Sequence, residues 1–183
     1  MKKKLPLFVL LLFVYQISAQ VYEYTLSNAG SLKNIVNKDA KNIRINGSMD
    51  IRDFLFIRDS MNVDTIDLSN TSIAGFDGFL NSDNLPFVSN QLPEYAFKYT
   101  KIKKINLPSN LKSIGQGAFL GDSLLRDIII PETVDSIQYV AFAECVSLPA
   151  INFPSSILFI GDYAFFNCSS LSGSITLPRI NLS

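Results

Sequence analysis

The feature that most constrains this chain is a self-similarity at a spacing of 23 residues. IQYVAFAECVSL (137–148) aligns with IGQGAFLGDSLL (114–125) before it and with IGDYAFFNCSSL (160–171) after it. Extended, the units run 108–130, 131–153 and 154–177, the last with one extra residue near Gly173. A shorter unit, LPEYAFKYTKIKKINL, fills 92–107. One unit of this size cannot bury its apolar side alone. Stacking successive units is what gives such a chain a core, so the pattern predicts a solenoid.

Each column of the repeat has a physical role. Ile105/Leu107, Ile128/Ile130, Ile151/Phe153 and Ile175/Leu177 alternate with their neighbours, which is strand spacing. Pro108, Pro131, Pro154 and Pro178 close those strands, because proline has no N–H to donate to a ladder. Leu111, Val134 and Ile157 form a second inward column, and Ile114, Ile137 and Ile160 a third. The Ala-Phe pairs at 96–97, 118–119, 141–142 and 164–165 set a small residue for close backbone approach beside a large core filler. Ile102, Leu125, Leu148 and Leu171 close each turn.

Upstream, Ile43/Ile45 and Ile66/Leu68 repeat the strand spacing, again 23 apart. VYEYTL (21–26) reads as a short strand, and SLKNIVNKD (31–39) places Leu32, Ile35 and Val36 on one helical face. DIRDFLFIRD (50–59) reads as a helix capped by Asp50. Leu68 and Leu107 are 39 residues apart, about sixteen more than one repeat, and the excess falls at about 74–92. Insertions in repeats form loops on one face and often carry binding. This one holds Phe76, Phe79 and Phe87, which either contact a partner or tuck back onto the repeats.

Residues 1–19 are expected to be a leader. Three lysines precede LPLFVLLLFVY, and Ile17-Ser18-Ala19 offers a cleavage point. This is the order of a secretory signal peptide, and the apolar run falls short of the roughly 20 residues of a membrane span. The mature chain then carries 13 basic and 16 acidic residues, a net charge of −3, too mild a balance for nucleic acid. The expected domains are this leader, an α/β capping region at 20–63, and repeats at 64–183. The chain reaches its last residue just after a strand, so that edge is expected either to pair with another copy or to continue in a longer protein.

Chemistry is sparse. The chain has no histidine, which removes histidine-based triads and HExxH zinc sites. GQGAFLG (115–121) misses the spacing of a phosphate loop, and SNLK (109–112) lacks the companion motifs of a serine–lysine nucleophile. No catalytic residue, metal or cofactor is expected. Cys145 and Cys168 share one column. Adjacent rungs of about 4.8 Å would allow a bridge, and two free thiols packed as small hydrophobes are the other outcome. Asp122 occupies the same column one unit earlier.

The combined signature P-x-x-[LVI]-x-x-I-x-x-x-A-F-x-x-[CD]-x-x-L, followed by I-x-[LIF]-P, resembles the BspA-like leucine-rich repeats of bacterial surface and secreted proteins. It covers 92–178, and residues 28–73 look like the region that often precedes such repeats. The resemblance implies a leucine-rich-repeat solenoid with a stacked parallel sheet. It also implies export to the periplasm, cell surface or exterior, and adhesion to protein or glycan on host or neighbouring cells. A solenoid's contact surface is its concave sheet. The outward strand positions there are Arg44, Asp67, Asn106, Ile129, Asn152 and Thr176, with Lys104 and Asp127 beside them. The alternative is a structural unit of a larger surface assembly.

Overall fold

The computed structural model describes residues 20–76 and 87–172. The chain forms a solenoid of parallel strands. Strands β1 (Val21–Leu26), β2 (Asn42–Met49), β3 (Thr65–Ile73), β5 (Lys104–Asn106) and β7 (Asp127–Ile129) lie side by side in that order, all parallel. A second parallel sheet comes from two-residue strands: β4 (Gln91–Leu92), β6 (Ser113–Ile114), β8 (Ser136–Ile137) and β9 (Phe159–Ile160). The expected column Ile114, Ile137, Ile160 is therefore also a hydrogen-bonded sheet, which the sequence reading did not anticipate.

The columns bury as expected through the middle rungs, while Ile128, Ile151, Phe153, Ile160, Phe165 and Leu171 are only partly buried. Ile105, Leu111, Ile114, Ala118, Phe119, Leu125, Val134, Ile137, Ala141, Phe142 and Leu148 are all fully buried. The phenylalanines stack from rung to rung. Phe97–Phe119, Phe119–Phe142 and Phe142–Phe165 have ring centroids 5.3, 5.0 and 5.3 Å apart. Phe54 of helix α1 (Ile51–Ser60) meets Phe97 edge-on at 5.7 Å and joins the stack to the amino-terminal region.

Asp50 caps α1 in a reciprocal capping box with Asp53. Asp53, itself buried, also accepts from the Gly30 N–H at 2.6 Å and the Leu32 N–H at 2.9 Å. That carboxylate ties α1 to the segment after β1. The helix expected over 31–39 is only a 3-10 turn, Leu32–Asn34, and Ile35 faces solvent. The Asn37 side chain accepts from the Asp39 N–H, a turn bond that competes with continued helix.

A second departure is the rung at 151–153, which forms no strand. Each rung enters the ladder with two successive N–H groups on one carbonyl of the rung before, the second of each pair coming from Thr65, Lys104 and Asp127 and the first, shorter bond as follows. Asp64 donates to the Lys41 carbonyl, Lys103 to Asp64, and Arg126 to Lys103. The next residue in that column is Pro149, which has no N–H to donate. Ser172, one rung later, resumes the pattern by donating to the Pro149 carbonyl.

The base of the insertion is closed by an antiparallel bridge between Phe76 and Phe87. Both phenylalanines are half-buried, and the Arg52 guanidinium lies 4.8 Å from the Phe76 ring centre. The expected leader at 1–19, Phe79 in the insertion, and Thr176 with the strand expected at 175–177 lie outside the described residues.

Candidate functional site

The outward side of the five-stranded sheet carries two polar columns fixed by strand register. One runs Asn42, Thr65, Lys104, Asp127, and the other Glu23, Arg44, Asp67, Asn106, Ile129. Alternation decides the facing: Ile43, Ile66 and Ile105, between these positions, are buried.

Within the columns most polar groups bond each other across rungs. Arg44 Nε lies 3.0 Å from Asp67 Oδ2, and Lys104 Nζ 2.6 Å from Asp127 Oδ2. Thr65 donates to Asn42, and Asn46 Nδ2 donates to Glu23 at 2.8 Å. Partial burial pushes the Asp67 carboxyl up, but hydrogen bonds from Ser69 and the Arg44 guanidinium outweigh it and hold the group below the usual carboxylate range. Two members differ. Asn106 Oδ1 is shielded from solvent and accepts no hydrogen bond. Ile129 is 57% exposed at a position where the other rungs carry polar side chains. Asn152 is exposed but sits on the rung that forms no strand.

The cysteine column is interior. Both thiols are free and buried, and each donates to a carbonyl of the previous rung, Cys145 to Phe119 at 3.2 Å and Cys168 to Phe142 at 3.1 Å. Burial pushes both thiols up. Asp122 fills the same slot one rung earlier and is fully buried. Its Oδ2 accepts from the Thr100 hydroxyl at 2.9 Å, and its Oδ1 has no partner. Burial raises its carboxyl to about 7, against the lowering pull of Thr100 and of the Leu124 and Ile102 amides.

A third surface was missed by the sequence reading. The turns around each Ala-Phe pair form a ridge on which two columns hold positive φ: Tyr95, Gly117, Val140, Tyr163, and Tyr99, Gly121, Glu144, Asn167. Side chains at these positions project outward, and tyrosines recur among them. Only the pair alignment marks them, because left-handed backbone leaves no periodic apolar signal. On the first rung the Lys98 ammonium lies 4.9 and 5.0 Å from the Tyr95 and Tyr99 ring centres. On the last, Tyr163 meets Tyr139 at 6.2 Å and Phe166 at 5.9 Å, and all three rings are about half exposed or more.

Among the described residues no group of three or more His, Cys, Asp or Glu side chains could hold a metal, and no helix is long and apolar enough to cross a membrane. The family model for the BspA type leucine rich repeat region matches residues 90–182 in six copies. A search of the curated proteins finds no match. Among solved structures, the chain is similar to a leucine rich repeat protein of T. pallidum, with 27% identity, a TM-score of 0.44, and coverage of 59% of this chain and 56% of that one. It is also similar to a leucine-rich repeat protein from Bacteroides capillosus, with 22% identity, a TM-score of 0.44, and coverage of 58% and 76%. The matched region thus spans about half the length of the T. pallidum protein.

Proposed function

Because the chain belongs to the BspA-type leucine-rich repeat family, we propose that it is an exported, surface-associated binding module whose ligand, a protein, docks on the outward side of the five-stranded sheet. The leader-like order of residues 1–19 supports export. The observation that carries the choice of face is Ile129, an exposed aliphatic side chain in register with Asn106 and bordered by the Lys104–Asp127 pair. Exposed ion pairs are worth only about 0–1 kcal/mol each. Exchanging Lys104–Asp127 and Arg44–Asp67 for contacts with a partner therefore costs little, while covering Ile129 is favourable. A broad face of small polar groups suits a macromolecule better than a small ligand held in a cavity. Catalysis is disfavoured on chemical grounds: the chain has no histidine, and the most perturbed carboxyl among the described residues, Asp122, is sealed in the core.

The test is a binding screen of residues 20–183 against matrix proteins, with polysaccharides as a second arm. The control is the folded variant Asn106→Lys, Asn152→Lys. A protein ligand lost in that variant supports the proposal. A ligand held equally by both forms places binding elsewhere, and capture by polysaccharide alone replaces protein with glycan.

A further inference from the structure

The charge of the repeats is not evenly spread. Residues 92–107 carry four lysines and one glutamate. Residues 131–172 carry Glu132, Asp135, Glu144 and Asp162 and no lysine or arginine. No ion pair among the described residues involves these four carboxylates. On the ridge, two of them flank the ring cluster. Asp162 precedes Tyr163 in the chain, and its carbonyl accepts the Val140 N–H of the rung below. The Glu144 N–H donates to the Phe166 carbonyl at 2.7 Å. Three exposed rings and two exposed carboxylates therefore share two adjacent rungs.

The first rung shows what such rings take. There Lys98 of the same chain sits over Tyr95 and Tyr99. The position equivalent to Lys98 one residue after each core phenylalanine is Leu120, then Ala143, then Phe166. The last rung thus has rings where the first has its cation, and carboxylates beside them. Cations are attracted to ring faces, and long basic side chains lay their methylene stems along apolar surface while the head meets a carboxylate.

We propose that Tyr139, Tyr163 and Phe166, with Glu144 and Asp162, form a second docking surface that binds a basic segment of a partner protein. It lies on the turn ridge rather than on the sheet, and it stands whether or not the sheet face binds. The five side chains are all exposed, so substitutions there change the surface without emptying the core.

The test uses residues 20–183 and two fluorescent twelve-residue peptides, one alternating lysine–leucine–arginine and one with glutamates in place of the basic residues. Anisotropy titrations are run on the parent, on the ring variant Tyr163→Ser, Phe166→Ser, on the charge variant Glu144→Gln, Asp162→Asn, and on the control Asp39→Asn, Asp59→Asn, which lies off both the ridge and the sheet face. Thermal melts confirm that each is folded, and sedimentation of each protein alone reports self-association. The expected result is binding of the basic peptide only. Affinity should fall about tenfold in the ring variant, whose net charge is unchanged, fall also in the charge variant, and hold in the control. Equal affinity in the ring variant and the parent would reduce the effect to bulk acidity and overturn the proposal. Binding of both peptides, or of neither, would overturn it too. Self-association abolished by the ring variant, with no peptide binding, would reassign the ridge to a second copy of the chain. None of these outcomes depends on Asn106 or Asn152, so the two surfaces fail independently.

Discussion

At the residue scale, Asp122 is the carboxyl, among the described residues, whose environment departs furthest from its intrinsic chemistry. It fills a slot that holds thiols in the next two rungs, and only one of its oxygens is bonded. With its folded pKa raised from 3.8 to about 7, the folded state keeps a proton that the unfolded state gives up. Stability from this group is therefore fully present below about pH 4, declines as pH rises, and levels off above about pH 7. Chemical denaturation should show a loss of about 2 kcal/mol between pH 5 and pH 7, at roughly 1.4 kcal/mol per unit. Asp122→Asn should flatten that slope. Asp122→Cys, which copies the next rung, should flatten it and leave the protein more stable than the parent at pH 8. An unchanged slope in both variants would show that another group titrates.

At the element scale, the ridge raises a question of backbone against packing. Gly117 has φ of 56°, where glycine is ordinarily favoured. Yet Tyr95, Val140 and Tyr163 hold the same column at 56°, 48° and 57°, so the backbone there accepts side chains. What excludes one at Gly117 is the ring of Tyr95, which would lie 2.5 Å from an added Cβ. Gly117→Ala should thus cost more in the parent than in a Tyr95→Ala background. A double-mutant cycle measured by denaturant titration should give a coupling of about 1 kcal/mol or more. A coupling near zero would return the glycine's role to backbone freedom. The same elements show what was legible in sequence. Columns with a steady apolar identity, such as Ile105 to Ile128 or Phe97 to Phe165, read directly because burial selects them at every turn. The second sheet did not, because strands of two residues are too short to show alternation. Loss of the strand at 151–153 was written in Pro149, whose missing N–H has meaning only once the entry bonds of the ladder are known. The outward residues of the sheet were identifiable by alternation, whereas their mutual pairing, Arg44 with Asp67 and Lys104 with Asp127, depends on register and was not.

At the scale of the whole molecule, two kinds of rung share one continuous core. β1, β2 and β3 are six, eight and nine residues long, whereas the strands from β4 onward are two or three. Long ladders therefore hold the amino-terminal rungs, while the later rungs are joined by short ladders and by backbone bonds spread over several turns, such as Phe97 N–H to Ala118 and Phe119 N–H to Ala141, wrapped around the phenylalanine stack. A solenoid's stability is close to a sum of rung terms and neighbour terms, so a defect in the stack should act locally. Phe119 has ring neighbours on both sides, Phe97 at 5.3 Å and Phe142 at 5.0 Å, and is fully buried. Phe119→Ala should cost about 3–5 kcal/mol, more than Phe165→Ala, because Phe165 is only half-buried. Hydrogen exchange should then separate the two regions. In Phe119→Ala, amides of β6, β7 and β8 should lose protection while those of β2 and β3 keep it, since their long ladders and α1 do not rest on that ring. If protection instead falls equally from β1 to β9, the stack carries cooperativity through the whole solenoid, and the long amino-terminal strands are no more autonomous than the short ones they adjoin.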